Sequence, residues 1–166
     1  MGEEPGIMVA VRRLPSLMLI AVATALWLTA CHSSSGVSFD QATLSIRTSA
    51  GPVTMTVEVA DSEPERERGL MGRRRLAPDA DMAFLFERPT ETGFWMKDTL
   101  IPLDIAYWTR GGRIVSVLHM RPCRADPCPV YPPGTSYVGA VEANWGFFDR
   151  RGIGVGDRVR LVAPRT

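Results

Sequence analysis

Short segments in which apolar and polar residues alternate constrain the fold of this chain more than any other feature. Residues 42–48 and 53–59 both alternate, and Leu44 and Ile46 share one side of the first segment. A period of two turns one face of a strand toward a core and the other toward water. Because residues 49–52 between the segments include a Gly-Pro pair, the two segments predict a β-hairpin.

Further short segments of this kind follow along the chain. Strands are predicted at residues 82–86, 93–97, 103–109, 114–120, 137–142 and 158–162. Helices are predicted at 63–71, where Ser62 and Glu65 match a capping box, and at 144–151. The chain is therefore expected to be α+β and mainly β, with a curled or barrel-like, antiparallel or mixed sheet of seven to eight short strands and one or two short helices.

The first thirty residues have the pattern of a targeting segment. Arg12 and Arg13 precede residues 14–28, an apolar run shorter than the roughly 20 residues that span a membrane. The run leads to Leu-Thr-Ala before Cys31, which resembles the bacterial lipobox, where the cysteine is lipidated after cleavage. We predict a lipoprotein signal peptide at residues 1–30. The alternative is an ordinary signal peptide or an uncleaved anchor with an incidental cysteine.

This interpretation divides the chain into three parts. A Ser/Gly tether at residues 31–41 follows the signal peptide, and a single globular domain occupies residues 42–163. The acyl chains on Cys31 would anchor the protein on the outward face of a bacterial membrane, in the cell envelope. Met8 is an alternative to Met1 as the start of the chain.

The charge balance of the chain gives no sign of a nucleic-acid partner. The chain has 19 Lys and Arg residues against 18 Asp and Glu residues, and residues 1–30 contain two of each sign. A nucleic-acid-binding domain usually carries a clear excess of basic residues. We therefore expect no nucleic-acid binding.

Two further cysteines lie close together in a proline-rich loop. Cys123 and Cys128 are separated by four residues, and thiols outside the cytoplasm are usually oxidised, so a disulfide is predicted. Its expected role is to shape the loop at residues 121–134, whose five prolines are unsuited to a sheet. A zinc site with His119 is a weaker alternative, because a structural zinc needs four ligands.

Several motifs recur in a fixed order along the domain. They are RERGLMGR at 66–73, MAFLF at 82–86, FWMKDTLIPLDI at 94–105, Glu142, Gly146 and GVGD at 154–157. In order and spacing they resemble the bacterial and archaeal family called domain of unknown function 192, over about residues 44–161. The resemblance implies a small, mainly β, often exported protein without an established activity. That family usually has asparagine where this chain has Asp98.

The segment at 94–105 mixes apolar residues with three charges. If the chain bends at Pro102, Lys97 and Asp104 are expected to meet across the bend. One interpretation is a structural ion pair, and the other is a polar pocket that recognises an anionic or sugar-like ligand. The residues predicted to line that pocket are Arg66, Trp95, Lys97, Asp98, Thr99, Asp104 and Glu142, with Tyr131 or Tyr137 at its rim.

Three functions are compatible with these residues. The favoured one is a non-catalytic, membrane-anchored module that needs no cofactor and binds a small ligand or an envelope partner. The second is a Cu(I) carrier with Met96, His119 and Met120 as ligands, since thioethers select Cu(I), although methionines more often fill cores. The third is a hydrolase-like enzyme that uses a carboxylate pair such as Asp98 and Asp104. No oligomeric state is predicted.

Overall fold

The computed structural model describes residues 36–78 and 80–162, and this part of the chain is mainly β. The strands are β1 (Asp40–Thr48), β2 (Gly51–Ala60), β3 (Asp81–Thr90), β4 (Phe94–Trp95), β5 (Leu103–Trp108), β6 (Ile114–Met120), β7 (Val130–Tyr131), β8 (Tyr137–Asn144) and β9 (Arg158–Val162). The helices are α1 (Glu63–Arg68) and α2 (Phe147–Arg151). The predicted fold class is confirmed, and the one strand of the described residues that was not predicted is β7, which has only two residues.

Seven of the strands form one mixed sheet in the order β6-β5-β8-β3-β2-β1-β9. All neighbours pair antiparallel except β2 and β3, which are parallel. Parallel strands require a crossover connection, and here α1 lies within it. Leu70 and Leu76 of the crossover are buried against Phe84 of β3, so the crossover packs on one face of the sheet.

The predicted hairpin is confirmed as β1 and β2. Ile46 faces Val53 in the pairing register. β1 begins at Asp40, two residues before the predicted start of the domain, and Phe39 packs against the core. The end of the predicted tether therefore belongs to the folded body, whereas Cys31 and the predicted signal peptide lie outside the described residues.

Two apolar cores lie on opposite faces of the sheet. One contains Leu44, Ile46, Met55, Val57, Ala106, Trp108, Val141 and Phe148, among others. The other contains Leu70, Met82, Phe84, Met96, Ile105, Tyr107, Met120 and Tyr137, among others. β5 contributes alternate residues to the two cores and is buried at every position, as expected of a strand that is covered on both faces.

The sheet curls without closing into a barrel. Its edge strands β6 and β9 approach each other where a single bridge joins Arg113 to Arg158. The amide of Val159 donates a hydrogen bond of 2.7 Å to the carbonyl of Gly112 beside this bridge. The contact joins the edges at one end only, because no ladder continues from it among the described residues.

Two local predictions need correction. The capping box of α1 is present, but the helix ends at Arg68 rather than 71, because Gly69 leaves the helical conformation at a φ of 41°. The proline-rich loop was expected to stay outside any sheet, yet Val130 and Tyr131 form β7 and pair with β4. Neither is a proline, so each keeps the N–H group that a ladder needs.

Candidate functional site

The predicted contact between Lys97 and Asp104 is absent. The Nζ atom of Lys97 lies 3.6 Å from an Oδ of Asp126, in the disulfide loop. Asp104 lies on β5 and pairs with His119 instead. The prediction failed because residues 97 and 98 form a turn, and strand alternation does not continue through it.

Asp98 occupies the position where the resembled family usually has asparagine. Its φ is 55°, in the left-handed region that asparagine and aspartate tolerate better than other non-glycine residues. The side chain is exposed. The position therefore requires a residue that tolerates a positive φ. Because the side chain is exposed, aspartate in place of asparagine leaves no buried group without a hydrogen-bond partner.

Four of the predicted site residues surround one small recess. Arg66 and Trp95 lie at it together with Thr99 and Glu142, between the crossover and β4. The recess has a volume of about 30 Å³, enough for a water molecule or a single functional group of a ligand. Lys97, Asp98 and Asp104 do not line it.

Glu142 is the unusual residue of this recess. It lies on the central strand β8 and is only 5% exposed. Its carboxyl makes no hydrogen bond or ion pair with any residue in the described part of the chain, and its oxygens are not fully enclosed by protein atoms. Burial raises its pKa to about 8, so at neutral pH most of the carboxyl is protonated and can donate a hydrogen bond.

A larger groove adjoins the recess and shares part of its wall. Its volume is about 350 Å³, within the range of small-ligand sites, and Arg66, Phe94 and Trp95 line both spaces. The indole of Trp95 is 52% exposed. We call this space, together with the recess, the Trp95 groove. It presents an aromatic surface next to a buried hydrogen-bond donor.

The guanidinium of Arg66 is held against the wall of the Trp95 groove. It donates one hydrogen bond of 2.9 Å to the carbonyl of Leu85 and a second, short one to the carbonyl of Asp61. It also lies 5.1 Å from the ring centroid of Phe86. Both bonds use the same nitrogen, so the other N–H groups of Arg66 remain available to a ligand.

Packed aromatic rings support the groove from behind. The centroids of Phe94 and Tyr107 are 5.7 Å apart, and those of Tyr107 and Tyr137 are 4.8 Å apart. Tyr107 donates a 2.6 Å hydrogen bond to the carbonyl of Tyr131, and Tyr137 donates one of the same length to that of Thr92. Burial raises the pKa of both phenols, so they stay neutral donors. Ring contacts and hydrogen bonds to the backbone therefore hold this wall in place.

A second polar cluster lies on the opposite face of the sheet, and the sequence analysis missed it. Asp104 is fully buried, and its Oδ1 lies 2.7 Å from Nδ1 of His119. Its other oxygen accepts a 3.4 Å hydrogen bond from the amide of Phe148. The second ring nitrogen of His119 lies 3.6 Å from Asp149. The sequence nevertheless indicates this contact, because a hairpin turn at 110–113 places residue 104 opposite residue 119 on the neighbouring strand.

The described residues do not bring together the ligands predicted for the zinc site or for the copper site. Cys123 and Cys128 form the predicted disulfide, with Cα atoms 5.5 Å apart, so their sulfurs are joined to each other. Met96 and Met120 are fully buried in one core. His119 points to the other face of β6, so the three predicted copper ligands do not converge.

Neither helix in the described part of the chain has the length and hydrophobicity to cross a bilayer.

The comparisons with known proteins agree with the fold. A family model for domain of unknown function 192, described as "Uncharacterized ACR", matches residues 45–161. No curated protein matches the sequence.

Two solved structures are similar to this chain. One is a proposed transcription regulator from Sinorhizobium meliloti 1021, with 30% identity and a TM-score of 0.70, covering 76% of this chain and 97% of its own. The other is a protein of unknown function from Novosphingobium aromaticivorans DSM 12444, with 28% identity and a TM-score of 0.67, covering 78% of this chain and 89% of its own.

Proposed function

The chain belongs to the domain of unknown function 192 family, and from that premise we propose that it is a non-catalytic module that binds a small, uncharged, hydroxyl-rich ligand such as a sugar. The ligand lies in the Trp95 groove. The observation that carries the proposal is the buried carboxyl of Glu142, which has no partner among the described residues and lines the recess. Buried polar groups normally have a hydrogen-bond partner, so a ligand or a water molecule is expected to supply it.

The size of the recess defines what reaches Glu142. A volume of about 30 Å³ admits one hydroxyl group and excludes a ring. A protonated carboxyl can donate to that hydroxyl through its O–H and accept from it through its other oxygen. The Thr99 hydroxyl lies at the same recess and offers a further polar contact. These groups suit an alcohol better than a charged group.

The adjoining part of the groove suits the body of such a ligand. The exposed indole of Trp95 offers a flat apolar surface on which the C–H face of a sugar ring can pack. Glu63 and Glu67 line the rim and can accept hydrogen bonds from hydroxyl groups. Two acidic residues, Glu63 and Glu67, and two basic residues, Arg66 and Arg68, line the Trp95 groove, so it has no excess of positive charge that would favour the anionic alternative.

A role in transcription, which the name of the Sinorhizobium relative suggests, finds no support in the charge of this chain. This chain has 19 basic and 18 acidic residues, and a net charge of +1 is too small to favour a nucleic acid. The features that support small-ligand binding are instead local to the Trp95 groove.

Thermal-shift screening against a panel of neutral sugars, followed by calorimetric titration of the best, tests the proposal. We expect a sugar to raise the melting temperature, and Trp95→Ala to weaken its binding by at least about tenfold, since an aromatic platform is commonly worth over 1 kcal/mol. Glu142→Gln, which cannot donate through an O–H, should weaken it as well.

Trp145→Ala is the matched control, because Trp145 is an exposed tryptophan outside the Trp95 groove. It should leave sugar affinity unchanged. A panel that produces no stabilisation, or a sugar whose affinity is the same for the Trp95 and Trp145 variants, would count against this function.

We also propose that the module is held on the outward face of a bacterial membrane through lipidated Cys31. The apolar run that ends at this cysteine supports the anchor. Radiolabelled palmitate should be incorporated into the wild-type chain and should be absent from Cys31→Ser. Equal labelling of the two proteins, or none in either, refutes the anchor without affecting the binding proposal.

A further inference from the structure

A second and larger groove lies beside the disulfide loop. Its volume is about 810 Å³, and Leu100, Pro102, Pro127, Pro129 and Trp145 supply most of its apolar wall. Leu100 is 54% exposed and Trp145 is 38% exposed, although both side chains are large and apolar. This space, which we call the disulfide-loop groove, shares no lining residue with the Trp95 groove.

The charged side chains that line this groove are both arginines. Arg121 and Arg124 contribute to its wall, and no aspartate or glutamate does. Neither guanidinium makes a hydrogen bond or an ion pair within the described residues. The nearby Asp126 is exposed, and one of its oxygens lies 3.6 Å from Nζ of Lys97. The groove is therefore apolar, and the charged side chains that line it are both positive.

The Asp104 cluster holds part of this wall in place. Asp104 orients the imidazole of His119, whose ring centroid lies 4.9 Å from that of Trp145. The guanidinium of Arg121 lies 5.8 Å from the centroid of the same indole. Asp104, the imidazole and the tilted indole therefore form a continuous series of contacts that leads to the Arg121 guanidinium. The Cys123–Cys128 bridge fixes the facing wall.

We propose that the disulfide-loop groove binds a small amphipathic carboxylate, with its acid group between Arg121 and Arg124 and its aromatic or aliphatic body against Leu100 and Trp145. Guanidinium groups bind carboxylates through charge-assisted hydrogen bonds, and the volume lies within the range of small-molecule sites. The complementarity of charge selects an anion, and the exposed apolar wall selects one with an apolar body. This site is independent of the sugar-binding proposal.

Equilibrium dialysis of radiolabelled phenylbutyrate against the full chain tests this site. We expect saturable binding, and binding at least about tenfold weaker for the neutral phenylbutyramide, which keeps the apolar body but loses the charge. Arg124→Gln and Arg121→Gln should each weaken phenylbutyrate binding and bring the two affinities together.

Arg75→Gln is the matched control, because Arg75 is exposed and lies in neither groove. It should bind phenylbutyrate like the wild type, and so should Trp95→Ala. Equal affinity for phenylbutyrate and phenylbutyramide would overturn the proposal. Phenylbutyrate binding that neither Arg121→Gln nor Arg124→Gln weakens would also overturn it, and so would the absence of saturable binding. These outcomes leave the result of the sugar screen unaffected.

Discussion

Two buried carboxyl groups on opposite faces of one sheet show how strongly the surroundings of a residue decide its chemistry. Asp104 has a histidine and a backbone amide as partners. Glu142, on the neighbouring strand, has neither, and burial alone raises its pKa to about 8. An unpaired buried carboxyl is normally costly, and in the proposed function a ligand hydroxyl offsets that cost.

Glu142 should make the stability of the fold depend on pH. Its folded-state pKa of about 8 exceeds the ordinary value of 4.5, so between these values the folded state binds a proton that the unfolded state lacks. Its contribution is therefore fully present below pH 4.5 and is lost as the pH rises through about 8. The expected decrease in unfolding free energy is on the order of a few kcal/mol.

Denaturant unfolding across this pH range measures the effect for the wild type and for Glu142→Gln, which should flatten the profile. Glu67→Gln, at an exposed acid on α1, should leave the wild-type slope unchanged. The lowered pKa of Glu65 acts below 4.5, and the raised tyrosine pKa values act above 10, so neither contributes within the window. A wild-type profile as flat as that of the glutamine variant would contradict the burial argument.

At the scale of the elements, the turn between β5 and β6 also joins the two edges of the sheet. Gly112 has a φ of 77°, and a Cβ there would lie 2.4 Å from the carbonyl oxygen of Val159. The adjacent Gly111 has open space around its Cα, with the nearest atom 4.0 Å away. Two consecutive glycines therefore have different structural importance.

Gly112→Ala should lower the unfolding free energy by more than about 2 kcal/mol, because it adds backbone strain and a clash with main-chain atoms of β9. Gly111→Ala should change it by no more than about 0.5 kcal/mol. Thermal or chemical denaturation of the two variants decides the point. Equal effects would mean that the edge strands do not rely on this contact.

The elements also show how far sequence reasoning reaches in this chain. Alternation located every strand except β7, and the turn at 110–113 already implied that residue 104 faces 119. Glu142 was placed correctly on a strand, but its recess depends on how the crossover packs over β8, which alternation does not encode. The prediction of a Lys97–Asp104 pair was wrong because the chain turns at Asp98, which has a positive φ, within an otherwise apolar motif.

For the whole molecule, the two proposed binding surfaces differ in how closely they are tied to the cores. The Trp95 groove shares Leu70, Phe84 and Tyr137 with one core, whereas the disulfide-loop groove is lined mainly by the disulfide loop and by exposed residues beside it. The bridge spans a sequence separation of only 5 residues, so it restricts little of the unfolded chain. Its effect should therefore be larger on the groove than on the fold.

Replacing Cys123 and Cys128 together by serine should lower the unfolding free energy by at most about 2 kcal/mol, because so short a loop closes with little entropy. The same variant should lose phenylbutyrate affinity, since the facing wall of the disulfide-loop groove is no longer fixed. Denaturation and dialysis measure the two effects separately. A large loss of stability with unchanged binding would reverse this assignment.

The position of Lys97 gives this molecule a built-in point of attachment. It is the only lysine in the chain, and its ammonium lies 5.8 Å from the ring centroid of Trp95. Apart from any free N-terminal amine, an amine-reactive fluorophore will therefore mark a single side chain, directly beside the indole. The emission of this fluorophore should change when a ligand occupies the Trp95 groove, so the labelled protein would report ligand binding directly.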